Sequence, residues 1–326
     1  MKKEILRILK RNSEYVSGQE LCTHLGVSRT AIWKVMNQLK EEGYLIDSIS
    51  NKGYKLLRVP DILSSEEIES QMDTKVFGRK VIYLDEIDST NVYARKIGEE
   101  RESHGTLVVA GRQTHGKGRR GRDWDSPKGT GIWMSLILKS DLKPTKASMI
   151  TLIAGLSVCK VTRQLYGVKA LIKWPNDIVI GRKKICGILT EMSTEIDYIN
   201  YLVVGIGINV STMEFHENIK EKATSIKREC NTLVNRSEFI ARIMKEFELN
   251  YNIFMKTYDL SSLQREYNEY LVSKDKEVVI IEKDQQYEGI ALGINKEGEL
   301  LVRTKDGRER NVFSGEVSVR GIYGYV

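Results

Sequence analysis

The amino-acid sequence predicts a multidomain α+β protein, and three observations lead there. The chain has 326 residues, more than one core of roughly 100–200 residues holds. Its first sixty residues carry apolar positions at helical spacing and then two short alternating runs. Beyond them, strand-like and helix-like segments are interspersed without regular βαβ alternation, which favours a sheet with helices on one face. The expected domains are 1–62, 63–271 and 272–326.

An apolar fraction of 41% and a charged fraction of 29% exclude a disordered chain. The net charge of +7 is uneven: residues 1–60 hold eleven Lys and Arg against six Asp and Glu, a local +5, which leaves +2 for the rest. A small basic module on a nearly neutral body suggests a polyanion-binding part attached to something that does other work. MKKEILRILKRN begins like a signal peptide, but charges interrupt it and no small-residue cleavage site follows, so it reads as mature protein. No apolar run approaches the roughly 18 residues of a membrane span; a soluble, cytoplasmic protein with no membrane partner is expected. Cys22, Cys159, Cys186 and Cys230 form no C-x-x-C and lie away from the four histidines, so they read as reduced, buried thiols, with no structural metal.

In the first segment, Ile5, Ile8 and Leu9 lie at helical spacing. Ser17 and Glu20 form a capping box opening a second helix, with Leu21 and Leu25 inward, that ends at Gly26. Ser28 caps a third helix, whose stripe of Ile32, Val35, Met36 and Leu39 stops at Gly43. That is helix-turn-helix spacing. The opposite face shows Arg29, Thr30, Trp33, Lys34 and Asn37, groups able to meet base edges and phosphates in a major groove. YLIDSIS and GYKLLRV alternate around Asn51, Lys52 and Gly53, as a hairpin or wing does. Ser28, Lys52 and that face are the candidate DNA contacts; a docking module with a solvated basic face fits the same pattern.

The middle segment offers the strands VIYLDEI, TLVVAGRQ, GIWMSLIL, KALIKW and YLVVGIGINV. Its helices are TNVYARKIGEE, Thr145 to Leu165, and SEFIARIMKEFELNYNIF. Residues 115–129, HGKGRRGRDWDSPKG, contain G-x-G-x-x-G after a strand, and Asp141 stands near the distance at which a dinucleotide fold places an acid. That fingerprint needs a helix directly after the glycines, whereas RDWDSPKGTG is a polar loop leading into GIWMSLIL. What remains is a flexible cationic loop, six Lys and Arg with two Asp in residues 111–128, suited to a compact anion such as a nucleotide phosphate. A second nucleic-acid patch and a merely solubilising loop remain open.

Three further features stand beside it. Asp88, Ser89, Thr90 and Asn91 join a strand to a helix, either capping it or holding a polar neutral group. In KWPND, Lys173 ends an apolar strand and Pro175 and Asn176 turn the chain into DIVIGRKKICGIL, a hairpin around Gly181 and Arg182. GIGIN places Gly205 and Gly207 inside a strand, where glycine weakens pairing unless a ligand or another chain segment comes close.

Taken in order, DSTN (88–91), GRQTHGKGRRGRDW (111–124), KWPND (173–177), KKICGIL (183–189) and GIGINV (205–210) resemble the biotin–protein ligases, collinearly over most of the chain. With the winged helix-turn-helix in front, the resemblance is to the bifunctional bacterial ligases that also repress biotin operons. It implies a catalytic domain similar to class II synthetases, then a small SH3-like β-barrel. EVVIIEK, QYEGIALGI, ELLVRT and SVRGIY, short strands divided by turns, agree with the latter independently.

The implied reaction joins biotin and ATP, with Mg²⁺, into biotinyl-5′-AMP, then transfers biotin to a lysine of the biotin carboxyl carrier protein of a carboxylase. The implied regulation has biotinyl-AMP promote a homodimer on operator DNA that represses biotin genes. By resemblance Ser89, Thr90, Asn91 and Gln113 lie at the ureido head of biotin, with Lys117, Gly118, Arg119, Lys173, Gly187 and Gly205 along its path. Arg119, Arg120, Arg122, Trp124, Asn176 and Asn209 fall to the adenylate, Lys173 and Arg119 to catalysis, and Asp177 to a metal. Where relatives commonly have Arg second in the glycine loop, this chain has Lys117, which cannot make a planar bidentate contact. A ligand-sensing transcription factor without enzymatic activity and a lipoate ligase-like enzyme are the alternatives.

Overall fold

The computed structural model describes residues 1–195, 198–281, 286–313 and 318–321. The N-terminal unit is built from α1 (Lys2–Arg11), α2 (Gly18–Leu25) and α3 (Arg29–Glu41), followed by β1 (Leu45–Ile49) and β2 (Gly53–Arg58). Each boundary has a local cause. The Ser17 hydroxyl accepts from the Glu20 amide and that of Ser28 from the Ala31 amide, capping two helices, and Gly26 ends α2 in the left-handed region. Ile5, Leu21, Ile32, Val35, Met36, Leu39 and Ile46 form a core of their own. Leu6, which the spacing reading passes over, is fully buried beside them.

A short helix, α4 (Ser65–Gln71), carries this unit on the body of the protein through a polar seam. Glu67 is completely buried, 2.5 Å from Lys10 Nζ on α1 and 2.5 Å from the Tyr44 hydroxyl. Glu69 takes Lys3 on one oxygen and the Val81 amide on the other. Further along the linker, Asp61 is gripped by the backbone and guanidinium of Arg236, which also reaches the carbonyl of Gly131.

The body is a seven-stranded sheet made of β3 (Val81–Ile87), β4 (Leu107–Gln113), β5 (Gly131–Leu138), β6 (Leu171–Lys173), β7 (Asp177–Ile180), β8 (Lys183–Thr194) and β9 (Ile199–Asn209). Their order is β3-β4-β5-β9-β8-β7-β6, and only the β3–β4 pair is parallel. That pair needs a crossover, and α5 (Thr90–Gly98) supplies it.

The other helices of the body are α6 (Ala147–Tyr166), α7 (Ile226–Cys230), α8 (Arg236–Thr257) and α9 (Gln264–Tyr270). The expectation of helices on one face is corrected here. Ile132, Met134, Leu136, Val204 and Ile206 point into one core with α6 and α8, whereas Ile137, Val108 and Val203 meet Ala94 of α5 on the other face. Strands buried on both faces read as continuous apolar runs, which is how GIWMSLIL and YLVVGIGI read. Because α5 is short, it covers only part of its face.

A five-stranded antiparallel sheet closes the chain: β10 (Lys276–Ile281), β11 (Gln286–Ile294), β12 (Leu300–Thr304), β13 (Glu309–Val312) and β14 (Ser318–Gly321), in the order β13-β12-β11-β10-β14. Ile322 and Tyr323 of the expected SVRGIY strand lie outside the described residues. Cys159 and Cys186 are buried, and burial pushes both thiols up, Cys159 to about 12. Cys22 and Cys230 are only half-buried, a correction to the reading of all four as buried, because each packs against its core without being covered by it. Among the described residues no helix is long and apolar enough to cross a membrane.

Candidate active site

On the uncovered part of the α5 face, β8 and β9 present bare backbone at their glycines. Gly187 of β8 stands directly opposite Gly207 of β9, and Gly205 follows two residues along. A Cβ on Gly207 would lie 2.5 Å from the Trp124 indole nitrogen, and one on Gly187 would lie 3.0 Å from the far ring of the same side chain. The indole therefore spans the glycine pair. A Cβ on Gly205 would collide with Asn91 Oδ1. Close approach is why these strand positions lack side chains, as the sequence suggests.

At the head of this slot the strand-to-helix turn works as a polar cluster. Ser89, Thr90 and Asn91 are buried. Thr90 donates through its amide and hydroxyl to Gln113 Oε1, and Gln113 Nε2 donates to Ser126 Oγ at 2.8 Å. Asn91 Nδ2 donates to the Leu189 carbonyl and to Glu191. Ser135 Oγ lies 2.7 Å from Thr90 Oγ1 and 2.6 Å from Asn91 Oδ1. Sequence reasoning misses Ser135 and Glu191. The signal for Ser135 is a lone hydroxyl in the apolar run GIWMSLIL, which a fully buried strand tolerates only with partners. Apart from Glu191, which pairs with Arg95, these donors and acceptors are neutral and suit an uncharged polar group better than an ion.

The cationic loop is more tightly held than its glycines suggest. Gln113 and Trp124 amides donate to the Ser126 and Gly116 carbonyls, and Gly118 donates to Arg122 at 2.7 Å, so the loop folds back on itself like a hairpin. Lys117 faces Asp123 across it. At its tip, Arg120 takes a left-handed φ of 60°. Arg120 and Arg122 are exposed, while half-buried Arg119 reaches Asn176 Oδ1 at 2.8 Å; burial lowers its affinity for its proton.

Two cavities meet here. The slot between Gly187, Gly205 and Trp124 is narrow, about 40 Å³, because the Trp124 indole lies against the glycine pair. It opens onto a cavity of about 740 Å³ between the body and the C-terminal sheet. The larger cavity is lined by Arg120, Arg122, Lys173, Asp177, Asn209 and, unforeseen from sequence, Arg320 of β14. Asn209 Nδ2 is tied to the Thr224 carbonyl. Burial pulls Lys173 down to about 7 against the attraction of Asp177, with Lys184, Arg320 and Arg122 pushing the same way.

Asp177, the candidate metal residue, lies 2.7 Å from Lys184 Nζ, and among the described residues no group of three His, Cys, Asp or Glu is placed to hold a metal.

In the N-terminal unit, Ser28 caps α3, and Arg29, Thr30, Lys34 and Trp33, the last 57% exposed, face outward, with Asn37 half-buried. A groove of about 480 Å³ runs between Gln19 and Arg29 and the hairpin tip at Lys52, whose ammonium lies 6.0 Å above the Tyr15 ring.

Comparison with known proteins finds relatives along nearly the whole chain. Residues 83–209 match the Biotin/lipoate A/B protein ligase family, residues 2–55 an HTH domain and residues 275–320 the Biotin protein ligase C terminal domain. The chain is 35% identical to the bifunctional ligase/repressor BirA of Bacillus subtilis over 98% of both chains. It is 31% identical to that of Escherichia coli over 96% of this chain and 95% of the relative. A biotin protein ligase of Aquifex aeolicus solved with biotin and ATP superposes with a TM-score of 0.65 at 30% identity, covering 74% of this chain and 99% of the other. The chain belongs to the biotin protein ligase family, in the branch that joins the ligase to an N-terminal helix-turn-helix repressor domain.

Proposed function

We propose that the protein activates biotin with MgATP and passes it to a lysine of a biotin carboxyl carrier protein, and that the activated intermediate also controls DNA binding. One observation carries the enzymatic half: a narrow slot with a neutral polar head and glycine walls runs into a wide cationic cavity. Biotin has the matching order of groups, a ureido head, an apolar tail and a carboxylate that must meet a triphosphate. A carboxylate oxygen bonds to the α-phosphorus, the bond to the bridging oxygen breaks and pyrophosphate leaves. The lysine nitrogen of the carrier then bonds to the acyl carbon, AMP leaves and the amine loses a proton. Fixed cations offset the repulsion between carboxylate and phosphates, and a closed loop delays hydrolysis of the mixed anhydride. Mg²⁺ enters as the ATP complex, held mainly by phosphates.

The expected result is biotin-dependent exchange of labelled pyrophosphate into ATP. No exchange at saturating biotin and MgATP overturns the enzymatic reading, and exchange supported by lipoate in place of biotin moves it to the other branch of the family.

The regulatory half rests on the exposed face of α3, the basic hairpin and the local +5 charge. Biotinyl-AMP stabilises a homodimer that sets two recognition helices on an inverted repeat, which requires the ligand to favour the dimer differentially. Arg29→Ala combined with Lys34→Ala is expected to weaken operator binding at least tenfold and to flatten its dependence on salt, with exchange activity unchanged. Unaltered binding in a salt titration by anisotropy removes α3 from the interface.

A further inference from the structure

We propose that Lys184 is a catalytic residue of this site, whose ammonium binds the biotin carboxylate at the point where it attacks the α-phosphate. The inference rests on the ligase reading above and deepens it.

The two cavities share five lining residues: Gly118, Arg119, Trp124, Asn176 and Lys184. The carboxylate at the end of the slot and the α-phosphate at the edge of the larger cavity must meet among them. Only Arg119 and Lys184 of the five are cationic. Lys173 lines the larger cavity alone, on the nucleotide side.

Local backbone geometry aims Lys184 at this junction. In a regular strand Lys184 and Gly187, three apart, would point to opposite faces. The β7–β8 register slips between Ile178 and Val179, which pair with Cys186 and Lys184, leaving Ile185 as an extra residue. Ile185 and Cys186 are both fully buried in the core, so Lys184 and Gly187 share the site face. A Cβ on Gly187 would lie 3.0 Å from Lys184 Nζ. Bulges commonly re-aim a side chain beside an active site. The backbone of Lys184 is held on both sides, its amide donating to Lys222 and its carbonyl accepting from Thr224.

Beside the ammonium lie Asp177 Oδ1 at 2.7 Å and the Trp124 ring at 4.9 Å from its centroid. Asp177 keeps the charge in place and lessens repulsion from Lys173 until an anion arrives. An ammonium on a flexible stem can then turn from Asp177 to the carboxylate, which a planar guanidinium does less readily.

Lys184→Gln is compared with wild type and with Lys184→Arg, using biotin and biotinol, its neutral alcohol analogue. The expected result is biotin affinity lowered about tenfold or more, biotinol affinity within about twofold of wild type, and pyrophosphate exchange slowed about 10²-fold. Lys184→Arg recovers part of the biotin preference. Equal losses for biotin and biotinol assign Lys184 a structural role and overturn the proposal, as does unchanged biotin binding and exchange. A wild-type protein with no biotin-dependent exchange fails the ligase reading itself, an outcome distinct from a wild type that exchanges and a variant that matches it.

Discussion

Replacing Lys173 with alanine is expected to slow biotinyl-AMP formation by about 10²–10³-fold while biotin affinity changes little. Loss of one preorganised charge at a reacting centre has about that effect. Lys173 ends β6, its side chain faces the larger cavity, and the sheet behind it is fixed, so its charge needs no reorganisation as pyrophosphate departs. Its ammonium is held down at about 7, chiefly by burial. The charged form is the one that pairs with the triphosphate, so kcat/KM for MgATP, which reports the free enzyme, falls as pH rises through about 7. Phosphates in the complex favour the ammonium, and the corresponding limb of kcat lies at higher pH. Exchange kinetics measured from about pH 6 to 9 check both statements. In Lys173→Ala the limb vanishes with the activity; in Lys173→Arg the limb alone vanishes. A wild-type profile flat across this range, or a variant that loses biotin binding and adenylation equally, reduces Lys173 to a binding group.

Glu67→Ala is expected to destabilise the junction between the winged helix and the body by about 3–5 kcal/mol, the usual cost of removing one partner from a buried ion pair. Glu67 has no exposed surface and is held by Lys10, Tyr44 and Gln71. Without it, Lys10 keeps a charge that burial already disfavours, since desolvation outweighs the help of Glu67 and lowers its pKa. The loss falls on the seam because α1 and α4 have separate cores behind them. Calorimetry should resolve an earlier transition for the N-terminal unit, with pyrophosphate exchange retained. A single unshifted transition shows the seam to be redundant.

Much of the molecule is written in short range. Ser17 and Ser28 cap their helices, Gly26 ends one, and Gly181 with Arg182, both at positive φ, make the tight turn of the β7–β8 hairpin. Each signal spans a few residues, and the sequence states it completely. The same holds for rejecting a dinucleotide fold, which needs only the missing helix after Gly121. The glycines of GIGIN and the residues DSTN announce a close approach and a polar turn, although not what approaches or where.

Face and register are different in kind. That α5 covers the face opposite α6 and α8, that Ser135 completes the Asn91 cluster, and that Arg320 arrives from the last described strand all depend on contacts between residues far apart in the chain. The slip beside Val179 is the sharpest case, since one extra residue decides which side of the sheet Lys184 faces. By itself the sequence determined the order of elements, their caps and turns, the charge of each part and the family motifs, because helix and strand periods, capping bonds and turn preferences act between near neighbours. Only the tertiary structure decided which cations meet at the end of the slot and what the strand glycines face, because those follow from the register and packing of separate segments, where a shift of one residue exchanges core for solvent.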